Sequence, residues 1–243
     1  MDALTYVFSA AMVASLKGVV EPAASPPAQV GSRGLAREVR EGARWAYGGS
    51  GLRRLALSTH VWFAGQAVLL VLVVLYGYLE LGLTSLRLGM VFAVAGLGAL
   101  LGASMSSAVG RRLGTGGAII CAYSVSALGV LVMLGTASAP TGWAGAAVLA
   151  IGQLCHGWGM VTSNSHEMTF RQARTPDGLQ ARTNTTLRSL NRAVIVVVSP
   201  VAGLLADQVG FRQVLASAAV VFGTAALMLA LSPFRSARVE SAD

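Results

Sequence analysis

Long stretches of this chain carry no charge at all, and that fact limits what it can fold into. Between Arg54 and Glu80 lie 25 uncharged residues, between Arg87 and Arg111 lie 23, and between Arg212 and Arg235 lie 22. A helix of about 20 mostly apolar residues crosses the roughly 30 Å hydrocarbon core of a bilayer, so each stretch is long enough for one crossing. The 54 uncharged residues between Arg112 and Glu167 are enough for two, with Ser138, Pro140, Thr141 and Gly142 as the turn between them. From Arg192 to Asp207 there are only 14, about 21 Å of helix. That crossing is therefore expected to begin upstream, near Thr183, with Arg188 and Arg192 snorkelling at its end. The expectation is an all-α, polytopic membrane protein with a bundle of six complete transmembrane helices.

A seventh apolar run, Ala3 to Leu16, is too short to cross and opens on Asp2 rather than on the basic segment of a signal peptide. It is expected to be the tail of a truncated helix that starts upstream. The domain reading is thus residues 1–16 as that tail, 17–54 as a linker, 55–234 as the six-helix domain and 235–243 as a short tail. Within the linker, Glu21, Pro22, Pro26 and Pro27 resist regular structure. After them, Leu35, Val39 and Trp45 recur at helical spacing among Arg37, Glu38, Arg40, Glu41 and Arg44, which suggests a short amphipathic helix on the inner membrane surface or a solvated helix leading into the first span.

Charged residues make up 12% of the chain, about half of the roughly 25% found in soluble domains. The net charge of +8 implies no nucleic-acid partner, because the bases punctuate apolar runs instead of clustering with aromatics on a polar surface. Their distribution carries orientation instead. Sixteen of the 18 basic residues, among them Arg53, Arg54, Arg111, Arg112, Arg171, Arg174, Arg182, Arg235 and Arg238, fall in connections on one side of the expected bundle, against only Arg87 and Arg212 on the other. The positive-inside rule makes the first side cytoplasmic, linker and C-terminus included, in a plasma (inner) membrane. Tyr76, Tyr78 and Trp143 then sit at the outer interface, and the Asn184-Thr185-Thr186 sequon falls on the cytoplasmic side, where it is silent.

No cofactor, metal site or catalytic constellation is expected. Cys121 and Cys155 sit inside apolar stretches, His156 and His166 are ten residues apart, and neither G-x-S-x-G nor H-E-x-x-H occurs. The spans divide into two sets of three, with Gly114 after spans two and Gly210 after span five in equivalent places. An odd number of spans per set makes the second run in the opposite membrane sense, the inverted-repeat arrangement of secondary transporters.

Several segments resemble the C-terminal half of a major facilitator superfamily transporter, in the bacterial branch that exports drugs, macrolides and siderophores such as enterobactin. Asp2-Ala3-Leu4-Thr5-Tyr6-Val7 is similar to the start of that family's sixth helix, and Arg37 to Trp45 to the stretch after its central loop. Arg171-Gln172-Ala173, Thr175-Pro176-Asp177, Leu179, Arg182 and Asn184 are similar to the loop between helices ten and eleven. Gly203 to Arg212 resembles the form G-x-L-A-D-x-x-G-x-R. The loop with Gly110, Arg111, Arg112 and Gly114 lacks the acidic residue of the full motif. The resemblance implies export of a small molecule by alternating access, driven by an ion gradient as in an antiporter. It also implies a missing partner: an N-terminal six-helix half, or a second copy. The rival reading is a non-transporting helical module that binds a membrane partner.

The resemblance further implies that spans one and four line a central cavity. Span four carries Gln153, His156, Met160, Asn164 and Glu167 on one helical face, and a polar stripe in hydrocarbon must face protein or water. It is either a substrate-cavity wall or a set of interhelical hydrogen bonds. Gln66 is the deepest polar group of span one, and His60 lies near its Arg-rich end. Thr175 and Pro176 read as N-cap and first helical position with Asp177 in the first turn. Arg171, Asp177 and Arg182, with Arg111 and Arg112, are candidates for ion pairs that hold a gate. Gly98 and Gly102 form a G-x-x-x-G that allows close helix contact, and Pro200 is expected to kink span five.

Overall fold

The computed structural model describes residues 32–49, 51–138 and 141–238, together with residues 8, 11, 12 and 15. The expected truncated helix and most of the linker therefore lie outside the described residues. Among those described, every regular element is helical and no strand forms. The helices are α1 (Ser32–Tyr47), α2 (Arg53–Leu79), α3 (Ser85–Leu134), α4 (Trp143–Arg174), α5 (Asp177–Val209) and α6 (Phe211–Ala230), with 3-10 turns at Gly135–Ser138 and Pro233–Ser236. Five of them, α2 to α6, are long and apolar enough to cross a membrane.

At 50 residues α3 would run about 75 Å if straight, more than twice the hydrocarbon thickness. It is not straight. Gly114 interrupts it at φ 71° and ψ 171°, a sector that only glycine occupies readily. Packing against α4 shows that the chain reverses there. Along the first limb, 85–113, Arg87 stacks on Trp143, Gly98 meets Leu154, Gly102 meets Trp158 and Gly110 meets His166, so this limb runs parallel to α4. Along the second limb, 115–134, Ala122 meets Gly159 while Gly129 meets Gly152, so this limb runs antiparallel to it. The helix α4 lies between the two limbs, while α2 packs on α5 and α6, and α3 packs on α6 as well as on α4.

These contacts are close because glycine makes them so. A Cβ added at Gly98 would collide with the Leu154 carbonyl oxygen, and one at Gly157 with that of Ala95. The G-x-x-x-G of the sequence is thus spent inside the chain, on α4. A second reversal occurs at Gly210, at φ 98° and ψ 147°, which ends α5 and starts α6. The outward faces stay apolar: Val196 is 71% exposed, Leu100 67% and Val220 67%, as helix faces in contact with lipid are.

One boundary differs from the sequence reading. Helix α5 starts at Asp177. Its N-cap is Pro176, non-helical at φ −55° and ψ 144°, and not Thr175. Thr175 is extended at φ −112° and ψ 124°, with its hydroxyl buried and uncapping. The helix continues through Pro200. The face that α1 buries runs along the expected one, with Trp45 packed against the core. Val39 is 45% exposed, whereas Ala46 is fully buried with Ala56 and Leu187, and Gly42 abuts the Arg182 carbonyl and the Thr186 hydroxyl. Small residues bring this end of α1 onto α2 and α5. After α6 the chain folds back: Phe234 packs edge-on to Phe170 and the Ala237 carbonyl accepts from the Gly116 N–H at 3.0 Å.

Because Gly114 and Gly210 sit at positive φ, Gly114→Ala and Gly210→Ala are each expected to destabilise the folded chain by about 1–3 kcal/mol, read as a lower melting temperature in detergent. Gly89→Ala, whose added Cβ meets nothing within 4 Å, should leave it unchanged. Equal melting of all three variants would remove the glycine reversals from the account.

Candidate functional site

Two polar groups stand out against the apolar interior. The first is a pair across α2 and α4. His156 Nε2 lies 2.8 Å from Gln66 Oε1, and since an amide oxygen only accepts, the imidazole donates. A neutral ring then leaves Nδ1 as an acceptor, and that atom is buried without a partner among the described residues. Trp62 stacks on the His156 ring at 5.9 Å and Phe222 of α6 tilts against it at 5.4 Å. Gly65 admits Phe222 to this position, because a Cβ there would meet its ring at 2.9 Å. The Trp62 indole N–H is likewise buried without a partner among the described residues.

The second group is a cluster nearer the Arg-rich end, drawn from five helices. Glu167 of α4 is 6% exposed. Its Oε1 accepts from the Tyr123 hydroxyl at 2.7 Å and its Oε2 from the Thr59 hydroxyl at 3.1 Å. A carboxyl in hydrocarbon is costly unless paired or hydrogen-bonded, and here two hydroxyl donors from α2 and α3 hold it. Arg171, also buried, sends Nε to the Glu167 backbone carbonyl at 3.4 Å and not to its carboxylate. Beside it, His60 Nδ1 is 2.6 Å from Asn191 Oδ1 of α5, and His60 Nε2 is 2.5 Å from the Tyr47 hydroxyl of α1. Burial pushes the Tyr47 phenol above its ordinary pKa, which keeps it a donor. Tyr47, His60 and Asn191 thus form a continuous hydrogen-bonded chain across α1, α2 and α5. Thr59, His60, Arg171 and Asn191 border a cavity of about 10 Å³, room for about one water.

The structure thus divides the polar stripe expected on span four. Gln153, His156 and Glu167 are buried, Met160 is half-buried against the core, and Asn164 is exposed. Only His156 meets Gln66. The expected gate residues do not pair with one another. Arg182 pairs with α1, at 2.8 Å to Glu41 and 3.7 Å to Glu38. Asp177 accepts from Gln180 of its own helix at 3.0 Å, and Arg111 and Arg112 are exposed on the turn at Gly114. Tyr47, Thr59, Tyr123 and Asn191 were not legible as site residues. The one sequence signal was Glu167, which falls in phase with the stripe but was placed at a span end. Among the described residues, no group of three or more His, Cys, Asp or Glu side chains is arranged to hold a metal ion.

No protein-family model matches this chain, and no curated protein or solved structure compared with it gives a match.

The Tyr123–Glu167 bond joins two helices that pack closely. A double-mutant cycle with Tyr123→Phe and Glu167→Gln should return a coupling of about 0.6–1.7 kcal/mol, measured by unfolding in mixed micelles. Strict additivity would mean that the two side chains do not support one another.

Proposed function

We propose that this chain is one half of a major-facilitator-type exporter, in which six crossings form two inverted triplets and α2 and α4 furnish one wall of a substrate pathway. Dividing α3 at Gly114 gives the triplets as α2 with the two limbs of α3, and α4 with α5 and α6. The observation that carries the reading is the symmetry of the packing under exchange of these triplets. The pairing of α2 with α5 maps onto that of α4 with the first limb, and α2 with α6 maps onto α4 with the second limb. The pairing of the second limb with α6, which share a groove from Ile120 to Leu131 and Gly223 to Ala230, maps onto itself. Gly114 and Gly210 also exchange, and both hold positive φ with extended ψ. An inverted repeat of three helices is the construction of many secondary transporters.

In such a fold the substrate site lies near the midplane between halves. His156 and Gln66 fit that role: they are polar, they face one another across α2 and α4, and they lie amid Trp62 and Phe222 with unused hydrogen-bonding groups. An enclosure of aromatics with a few polar groups suits an amphiphilic small molecule, such as a macrolide, a siderophore or a drug. The Arg-rich end is cytoplasmic on this reading, and the other wall comes from an N-terminal half or a second copy.

In an efflux-deficient bacterial host expressing the full protein, Gln66→Leu and His156→Leu are expected to raise accumulation of an exported macrolide or dye to the level of cells lacking it. Melting of the purified variants in detergent should stay near that of the parent. Normal export by both variants, or a loss of export that follows a loss of folded protein, would assign the pair to packing.

A further inference from the structure

Outside both polar groups, three guanidinium groups from three separate parts of the chain border one open cleft at the Arg-rich end. The cleft measures about 840 Å³ and is lined by Arg54 at the start of α2, Arg174 at the end of α4 and Arg238 beyond α6, with Phe170, Pro233 and Phe234 among its apolar wall. Among the described residues, no carboxylate lines it. Three like charges around one space repel unless an anion joins them, and arginine's planar fork suits the oxygens of a phosphate.

Two features show that the cleft is built. Its floor is rigid: Phe170 and Phe234, 2% and 5% exposed, lock edge to face at 4.9 Å, and Arg174 lies over the Phe170 ring at 5.3 Å. The segment bearing Arg238 is also fixed. The Ala237 carbonyl holds the Gly116 N–H at 3.0 Å, and Arg238 packs where a Cβ on Gly114 would sit, at 3.2 Å. The first turn of α2 opens here too, behind Gly51 and Leu52, so the positive end of its dipole adds to the field. The contrast with Arg182, which is matched by Glu38 and Glu41, shows that the end of the bundle does not leave every arginine facing only others.

We infer that Arg54, Arg174 and Arg238 form a binding site for the phosphate headgroup of an anionic phospholipid. A lipid source is favoured by place and lining: the cleft sits where helices α2 and α4 end, which is headgroup depth for helices of this length, and its phenyl and proline wall offers apolar surface to the glycerol and upper acyl chain. Each basic residue near an anionic surface contributes on the order of 1 kcal/mol, so three acting together select an anionic lipid over a zwitterionic one.

The test is thermal melting and native mass spectrometry of the purified, delipidated full chain titrated with phosphatidylglycerol, phosphatidylcholine or inorganic phosphate. Phosphatidylglycerol should raise the melting temperature and remain bound, and phosphatidylcholine should do neither. The combined Arg54→Gln, Arg174→Gln and Arg238→Gln variant should melt as the parent does in phosphatidylcholine and bind phosphatidylglycerol about a hundredfold more weakly. Arg188→Gln with Arg192→Gln, which removes two exposed charges of α5 outside the cleft, should retain binding. Equal response to the two lipids, equal loss in both variants, or full stabilisation by inorganic phosphate alone would each overturn the assignment. If the triple variant fails to fold, Arg54→Gln with Arg238→Gln is read in its place, and undiminished binding by it overturns the proposal equally.

Discussion

The close approach of α4 to the two limbs of α3 is the contact on which the rest of the structure depends. Lipid tails are as apolar as leucine, so helices in hydrocarbon gain little from hiding apolar side chains and associate through packing and hydrogen bonds instead. Glycine supplies that packing from both partners. Gly98, Gly102 and Gly129 open α3 to the α4 backbone, while Gly152, Gly157 and Gly159 open α4 to α3. With α4 held on two sides, the sector of its surface between the limbs is turned toward α2, and that sector carries His156 and Glu167. The polar groups are thus placed by residues that have no side chain.

Polar groups in such an interior must be satisfied or functional, and the two groups differ on this point. Around Glu167 each carboxylate oxygen has a hydroxyl donor, and His60 is engaged at both ring nitrogens. That cluster joins α1, α2, α3, α4 and α5 and is mainly a fastening. Around His156 the Nδ1 atom and the Trp62 indole N–H are left over. Buried unpaired polar atoms cost about 1–3 kcal/mol each, and a fold retains them where a ligand or water completes them. This difference is why the transport reading rests on His156 and Gln66 and not on Glu167.

Charge spacing made most of the architecture legible. The uncharged runs from Arg54 to Glu80 and from Arg212 to Arg235 correspond to α2 and α6, and the expected turn residues Thr141 and Gly142 immediately precede α4. Gly114 and Gly210 were legible as the glycines of short turns, and both have the positive φ that glycine tolerates. What failed depended on contacts distant in sequence. Nothing local in Leu35, Val39 and Trp45 says that the small residues on the same face, Gly42 and Ala46, will dock on Arg182 and Leu187. Nor does spacing along α4 reveal that Asn164 points out while Tyr123, 44 positions before Glu167, reaches its carboxyl. The stripe was legible as a face, and its partners were not.

The central claim is that the two reversals, at Gly114 and at Gly210, lie on opposite faces of a membrane. Its most direct measurement is the sidedness of single cysteines in a Cys121→Ala, Cys155→Ala background, labelled in right-side-out and inverted vesicles with an impermeant maleimide. Cysteines at Thr84 and Gln208 should label from one side, and cysteines at Arg112 and Gln172 from the other, all four positions being exposed at helix ends. Labelling of Arg112 and Gln208 positions from the same side would contradict the inverted triplets, and with them the account of this chain as one half of a transporter.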